Sequence, residues 1–427
     1  MHTRLVLTAK AILTQHRSKP VIDGFVLVGG NRILQVGERR DLQFLPSVRL
    51  LDLGDTVLLP GLINAHCHLD FTSLKGRVPH RGNFREWLTA MAGRTRRTTA
   101  AEFKKSIQAG VRESLAYGTT TLCDISTSYE SYGILKRQTL LRAKVFFECL
   151  DFGKQSAFAA WKRALERIRH HTALPPHPST LQWGLALHSP FTVSPEFFYL
   201  TGRLLDRHRR IPTTLHLGES REEWEYFAHR RGPVENRMKQ LGITWPKPDA
   251  RTPIKFVARR GWLPKLDLAV HCNTVDAKDM ELLARHRVAV VHCPGSHDYF
   301  DHPKFRYEEM RRKRIRVCLG TDSLASNRSL SMFREMRLFR KNHPSVSASE
   351  TLSLATNRAA QALGMGKDIG QVRPGYLADI IGVPAPARGF KDTEALSDWV
   401  LRHKGEVSFS MVNGETRLRL AGSRMNR

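Results

Sequence analysis

A chain of 427 residues, 41% hydrophobic and 25% charged, is long enough to bury a large core, and it contains no window of eighteen apolar residues that could span a membrane. Its 68 lysines and arginines against 40 aspartates and glutamates leave a formal charge of +28, a balance that raises nucleic acid, anionic membranes and acidic ligands as partners. The basic clusters "RHHTALPPH", "DRHRRI", "HRRG" and "MRRKRIR" are short, dispersed and not interleaved with stacking aromatics, which favours a solvated basic surface over a nucleic-acid interface.

The opening "MHTRLVLTAKAILT" lacks the small-residue cleavage site of a signal peptide. The six cysteines form no CxxC pair and read as reduced, buried thiols. With no membrane-spanning run and no signal peptide, a cytoplasmic location is expected. The first fifty residues, with "RLVLTAKAIL", "VIDGFVLVGGNRILQVG" and "VRLLDLGD", predict short strands joined by turns. Eight further runs of strand length follow: "TVLLPGLINAH", "TTTLCDIS", "AKVFFECL", "LQWGLALHS", "PTTLHLGE", "LDLAVHCN", "VAVVHCPGS" and "IRVCLGTDS". Segments of helical period separate them, as in "TAAEFKKSIQAGVRESLAYG", "SPEFFYLTGRLLDRHRR" and "KDMELLARHR". The longest departure is the Trp- and Arg-rich connection Arg221 to Pro264, placed to shape or cover a substrate site. The chain end returns to β character with "GYLADIIGVP" and "GEVSFSMVNGETRLRL", where Asn413-Gly414 is a hairpin turn. The expected class is α/β: a (β/α)8 TIM barrel over residues 58–375, with a small composite β-sandwich domain from residues 1–57 and 376–427.

Chemistry in such a barrel collects at the C-terminal ends of the strands. The polar residues ending these runs are His66 and His68, Asp124, His188, His216 with Glu219, His271, His292, and Asp322 with Ser323. An apolar barrel core does not require so many imidazoles and carboxylates at one rim. Side chains at i and i+2 of a strand share a face, so His66 and His68 can converge, and neutral imidazoles suit zinc. Taken alone, that pair reads equally well as two of nineteen histidines. His216 and Asp322 add two further candidate ligands, one of them a carboxylate. Simpler readings exist for the others: a carboxylate at a helix N-terminus for Glu219, a hydrogen-bonded rim histidine for His271, and a turn-stabilising histidine before Pro190 for His188.

The ordered motifs "PGLINAHCHLD", "LHLGES", "VHCNTV", "VHCPGSH" and "GTDS" resemble those of the amidohydrolase superfamily, in its zinc-dependent deaminase and chlorohydrolase branch. The resemblance implies a divalent metal ion, zinc or alternatively Fe2+, held by His66, His68, His216 and Asp322. It implies catalytic roles for Glu219, His271 and Asp322, and substrate contacts from His188, Glu219 and His297. Binuclear members carry a carboxylated lysine at the end of the fourth strand; here that strand ends in His188, so one metal is expected.

Within the branch the seventh-strand motif is commonly "HCPxSN", whereas this chain has His297 in place of the asparagine. With "DFTSLKGRVPHRGNFREWL", "HLGESREEWEYF" and "LGTDSLASNRSLSMFREMR", the chain is most similar to the aminodeoxyfutalosine deaminases of the futalosine route to menaquinone. It departs from them at Gly295, where an arginine is frequent. The function this implies is hydrolytic conversion of the 6-amino group of an adenine nucleoside to 6-oxo with release of ammonia, with aminodeoxyfutalosine preferred. Alternatives are deamination of adenosine, S-adenosylhomocysteine, methylthioadenosine or guanine, and hydrolytic dechlorination of a triazine. A remote alternative is a non-catalytic barrel that binds nucleic acid. The expected partner is a small aminopurine nucleoside, not a membrane, and a homodimer is compatible with the sequence.

Overall fold

The computed structural model describes residues 4–43, 48–78, 84–138, 140–151, 156–172, 180–208, 211–243, 245, 247–419 and 424–426. Residues 79–83 of "RVPHRGN", the proline-rich part of "RHHTALPPH", and residues 209–210 of "DRHRRI" lie outside the described residues.

Eight parallel strands form the barrel: β1 (Leu62–His68), β2 (Thr119–Ser126), β3 (Arg142–Cys149), β4 (Leu181–Leu187), β5 (Thr213–Leu217), β6 (Leu268–His271), β7 (Ala289–His292) and β8 (Val317–Leu319 with Asp322–Ser323). Each neighbours the next in sequence, and β8 returns to β1, where Asp322 pairs with Cys67 and Ser323 with His68. Closure depends on Gly320. A Cβ there would sit 2.8 Å from the backbone N and O of His66, so only glycine lets β8 come this close to β1. Around it the Gly320 N–H donates to the His292 carbonyl and the Thr321 N–H to the His66 carbonyl, each at 2.9 Å.

The strands are buried on both faces, as parallel sheets with helices outside must be, and so read as near-continuous apolar runs. Ile63, Phe146, Val270 and Val291 fill the barrel with residues of the helix Asn357–Ala362, while Leu122, Phe147, Leu215 and Val290 face the helical layer. The helices begin where side chains can accept their free N–H groups. Thr99 with Glu102 and Asp276 with Asp279 form capping boxes on Ala100–Ala116 and Ala277–Arg285, and Ser194 caps Pro195–Arg207. No described helix is long and apolar enough to cross a membrane.

Strands from the two chain ends build a second, mixed sheet of nine strands. Its members run from Glu415–Arg419 through Phe409–Val412, Ile380–Pro384, Thr56–Pro60, Arg4–Ile12 and Val21–Gly29 to Arg32–Glu38. The sheet branches at Arg4–Ile12, which pairs along its first half with Val48–Asp52, itself joined by Arg424–Asn426, and at its end with Thr56–Pro60. The run "TVLLPGLINAH", expected as one strand, is two: Thr56–Pro60 in this sheet and β1 in the barrel. The chain crosses between them at Gly61, where a Cβ would meet Thr120 Oγ1 at 2.0 Å. The Gly61 N–H, freed from either ladder, donates to the Asp379 carbonyl at 2.9 Å.

Candidate active site

The site begins with an irregularity in β1. Ile63 and Ala65 pack inside the barrel, yet Cys67 packs in the outer layer, because the register with β2 shifts between Asn64 and Cys67. A bulge re-aims the side chains that follow it. Here it brings His66 and His68 to the top of the barrel, with ring centroids 5.0 Å apart. His66 lies 5.0 Å from His216 at the end of β5 and 5.7 Å from His271 at the end of β6. Asp322 completes the group from β8: its Oδ1 is 3.5 Å from the Nε2 atoms of both His66 and His68. Ligand atoms of His66, His68 and Asp322 lie within 4.8 Å of one another, as do those of His66, His216 and His271, and those of Glu219, His271 and Asp322.

Backbone geometry and hydrogen bonds set the orientation. His271 and Asp322 adopt left-handed conformations, with φ of 72° and 58°, which turn the chain at the strand ends. Such positions cost about 1–3 kcal/mol each and are kept where surrounding structure enforces them. Asp322 Oδ2 accepts from the hydroxyls of Ser296 at 2.7 Å and Ser326 at 3.0 Å, leaving Oδ1 toward the histidines. The Nδ1–H of His216 donates to the His188 carbonyl at 2.8 Å, which puts the ring lone pair on Nε2.

The electrostatics suit a cation. Burial, followed by neighbouring His66, holds His68 well below the usual imidazole range, and burial brings His216 down to about 3. The rings are therefore neutral donors at physiological pH. Burial acts to raise Asp322, but the cluster of imidazoles around it, His66 first and then His271 and His68, favours the ionised form, and the carboxyl is held well below its ordinary value. His66 is fully buried and neither of its ring nitrogens is hydrogen-bonded. Buried polar atoms rarely lack a partner. Imidazoles with open nitrogens around one carboxylate form a single divalent-metal-binding site of the three-histidine, one-aspartate type.

Glu219 follows the ligand strand β5 and precedes the helix Arg221–His229, whose N-cap is Ser220. The role of helix-start carboxylate falls to Glu223, whose Oε2 accepts the Glu219 N–H at 2.7 Å. The Glu219 side chain is free to face the site, with Oε1 3.6 Å from His271 Nε2. Burial, then Asp322, Glu223 and Glu222, raise it well above the usual carboxylate range. His188 serves two purposes: its Nδ1 hydrogen-bonds Thr192 Oγ1 at 2.8 Å in the turn, and its Nε2 lies 4.0 Å from Glu148 Oε1. Burial lowers His188 to about 4.

These groups line the floor of a cavity of about 490 Å³ whose walls include Phe71, Trp87, Met91, Phe191, Met238 and Ile243. The long connection after β5 supplies part of that wall through the helix Pro233–Gln240 and the residues after it. His297 is placed elsewhere. It is buried behind the site, with Nδ1 3.1 Å from Asn273 Oδ1, and is not among the cavity-lining residues. His292 stacks on Phe305 at 3.9 Å, and Asp124 Oδ1 accepts the Leu69 N–H at 2.8 Å. Gly295 has no room for a longer side chain, since a Cβ would stand 2.4 Å from Asn327 Nδ2. Sequence reasoning missed Glu148, a buried cavity carboxylate whose Oε2 accepts from Thr127 Oγ1 at 2.6 Å while Oε1 is unpartnered. It lies within the apolar run "AKVFFECL", and an acid that faces inward from such a strand was the available signal.

With this geometry in place, the comparisons with known proteins define the class. Residues 57–417 match the amidohydrolase family, and the chain belongs to that family of metal-dependent hydrolases. A 5-methylthioadenosine/S-adenosylhomocysteine deaminase of Syntrophobacter fumaroxidans is 30% identical over 84% of this chain and 80% of its own length. A protein of the same name from Symbiobacterium thermophilum is 28% identical over 90% of this chain and 85% of its own. Among solved structures, aminofutalosine deaminase from Helicobacter pylori, in complex with methylthio-coformycin, superposes with a TM-score of 0.83 at 23% identity, covering 96% of this chain and 99% of that one. A zinc-bound adenosine deaminase from Xanthomonas campestris gives 0.80 at 24%, covering 98% and 93%. At these identities the two structures establish the shared fold.

Proposed function

We propose that the protein is a mononuclear metal-dependent deaminase that replaces the 6-amino group of an adenine nucleoside by oxygen, consuming water and releasing ammonia. The observation that carries this reading is the approach of Glu219 to His271, 3.6 Å between Oε1 and Nε2, beside the histidine and aspartate donors on the floor of one cavity. His66, His68, His216 and Asp322 would hold the ion. A zinc ion so bound lowers the pKa of water to roughly 7 and supplies a nucleophile at neutral pH; Fe2+ would suit the same donors.

The residues divide the proton work. Glu219, whose proton affinity is raised by burial and by neighbouring acids, takes a proton from the attacking water and delivers it to the ring nitrogen next to the carbon that bears the amine. That transfer makes the carbon electrophilic. Asp322, held ionised, accepts the remaining water proton from the new hydroxyl and passes it to the amine, which leaves as ammonia. His271 orients the nucleophile and stabilises charge as it develops at the reacting carbon. His188 Nε2, facing the cavity, contacts the purine.

Substrates with a 5′-thio substituent, the class of 5′-methylthioadenosine and S-adenosylhomocysteine, are the leading assignment. The curated relatives named above support it, and the apolar walls suit both a purine face and a thioether. A second reading, aminodeoxyfutalosine, is favoured by Arg96, Arg163 and Arg237. All three line the cavity and make no ion pair among the described residues, as would suit the benzoate of that substrate. S-adenosylhomocysteine also carries a carboxylate. The deciding experiment measures metal per chain, then follows loss of the adenine absorbance and release of ammonia with adenosine, 5′-methylthioadenosine, S-adenosylhomocysteine and aminodeoxyfutalosine. The proposal requires turnover of at least one of them by metal-loaded protein. A metal-loaded chain inert towards all four overturns it, and preference for aminodeoxyfutalosine replaces the leading assignment by the second.

A further inference from the structure

We infer that Asn273 and His297 are positioning residues that fix the backbone of Glu219 and so set its reach to the reacting atoms. The inference rests on the proposed role of Glu219 as proton carrier. Beyond the ends of β5 and β6 the two chains stay joined: the Cys272 N–H donates to the Leu217 carbonyl at 3.0 Å and the Thr274 N–H to the Gly218 carbonyl at 2.9 Å. Glu219 would be the first residue free of this pairing, but its peptide groups are held from both sides. Its N–H donates to Glu223 Oε2 at 2.7 Å, and its carbonyl accepts from Asn273 Nδ2 at 3.0 Å.

The asparagine can serve this way in one orientation only. Its Nδ2 must face Glu219, so its Oδ1 must face a donor. That donor is His297, whose Nδ1 stands 3.1 Å from Asn273 Oδ1, and the bond requires the proton on Nδ1. Without it, an amide flip would set two oxygens against each other and release the carbonyl. Asn273 and His297 are both buried, so water does not readily replace either bond. His297 therefore influences catalysis without touching substrate, consistent with its absence from the cavity wall.

The test compares His297→Phe, which keeps a ring but removes the donor, with Asn273→Leu, the double variant, and His297→Asn, which restores an amide donor. Metal content, KM and kcat are measured for each on the best substrate of the panel. A misplaced general acid should lower kcat by about tenfold or more with KM and metal content unchanged. The double variant should be no worse than the poorer single one, because both remove one chain of contacts, and His297→Asn should recover most of the loss. Full kcat in either single variant overturns the inference, as does loss of metal in parallel with kcat, or losses that multiply in the double variant. Glu219→Gln is run alongside. Retained turnover in Glu219→Gln would instead overturn the proton-carrier reading on which this rests.

Discussion

The chain buries two polar clusters at opposite ends of the barrel, and they differ in what they leave unpaired. Where the barrel meets the terminal sheet, Arg142 Nε donates to Asp379 Oδ2 at 3.0 Å, the Asn413 N–H donates to Asp379 Oδ1 at 2.7 Å, and the Gly61 N–H donates to the Asp379 carbonyl at 2.9 Å. At the other end His66 has both ring nitrogens unbonded, His68 lacks a partner at Nδ1, and Glu148 at Oε1. The side chains of Arg142 and Asp379 in the first and of His66, His68 and Glu148 in the second are all buried. A charge taken out of water costs several kcal/mol unless its hydrogen-bonding capacity is met. The first cluster meets that demand internally and serves as a clasp between two units. The second holds its demand open for an ion and a substrate, and the left-handed backbone of His271 and Asp322 adds to what the fold must support there.

The sharpest way to break the comparison is to remove a group from the open cluster. Asp322→Asn should abolish stoichiometric metal and reduce turnover by several orders of magnitude, and chelation of the parent should reproduce the loss and lower its melting temperature. Both are read by metal analysis and calorimetry. Parent-like metal content in Asp322→Asn would show that the carboxylate is not a ligand. Glu219→Gln separates chemistry from binding: metal is retained while kcat drops by about 10²–10⁴, the span expected of a general acid–base group.

A change in the closed cluster should do the reverse. Asp379→Ala leaves Arg142 buried without its anion and should cost about 3–5 kcal/mol of stability, seen as an earlier denaturant midpoint. The protein that remains folded should keep its metal and its kcat. Metal loss in that variant would show that the two ends are coupled.

The open cluster was far more legible in the sequence than the closed one, for a physical reason. A metal site needs particular donor atoms at strand ends, so His66, His68, His216, His271 and Asp322 stand out from apolar runs, and the barrel follows from the same runs. The clasp joins residues 142, 379 and 413, brought together only by folding, and nothing local in "DIIGVP" or "RAKVFFECL" announces it. The same limit applies within the site. The bulge after Asn64 that aims both histidines inward, and the placement of His297 behind Asn273, are decided by tertiary contacts. An asparagine-to-histidine change in a substrate-associated motif suggested a ligand contact; the backbone hydrogen bond that Asn273 makes to Glu219 gives that change a different meaning.

The smallest effect gives the comparison its control. Lys10 and Asp55 form an ion pair in the terminal sheet at 2.9 Å, as short as the clasp's own, but the aspartate side chain is 83% exposed. In the exposed pair, water solvates whichever partner remains, so Lys10→Ala should shift the melting temperature by no more than about one degree and leave kcat and metal content at parent values. A loss approaching that of Asp379→Ala would mean that pairing of opposite charges, rather than burial with every hydrogen bond met, is what stabilises this sheet. The contrast between the closed and open clusters would then lose its physical basis, since it depends on the cost of an unmet buried charge.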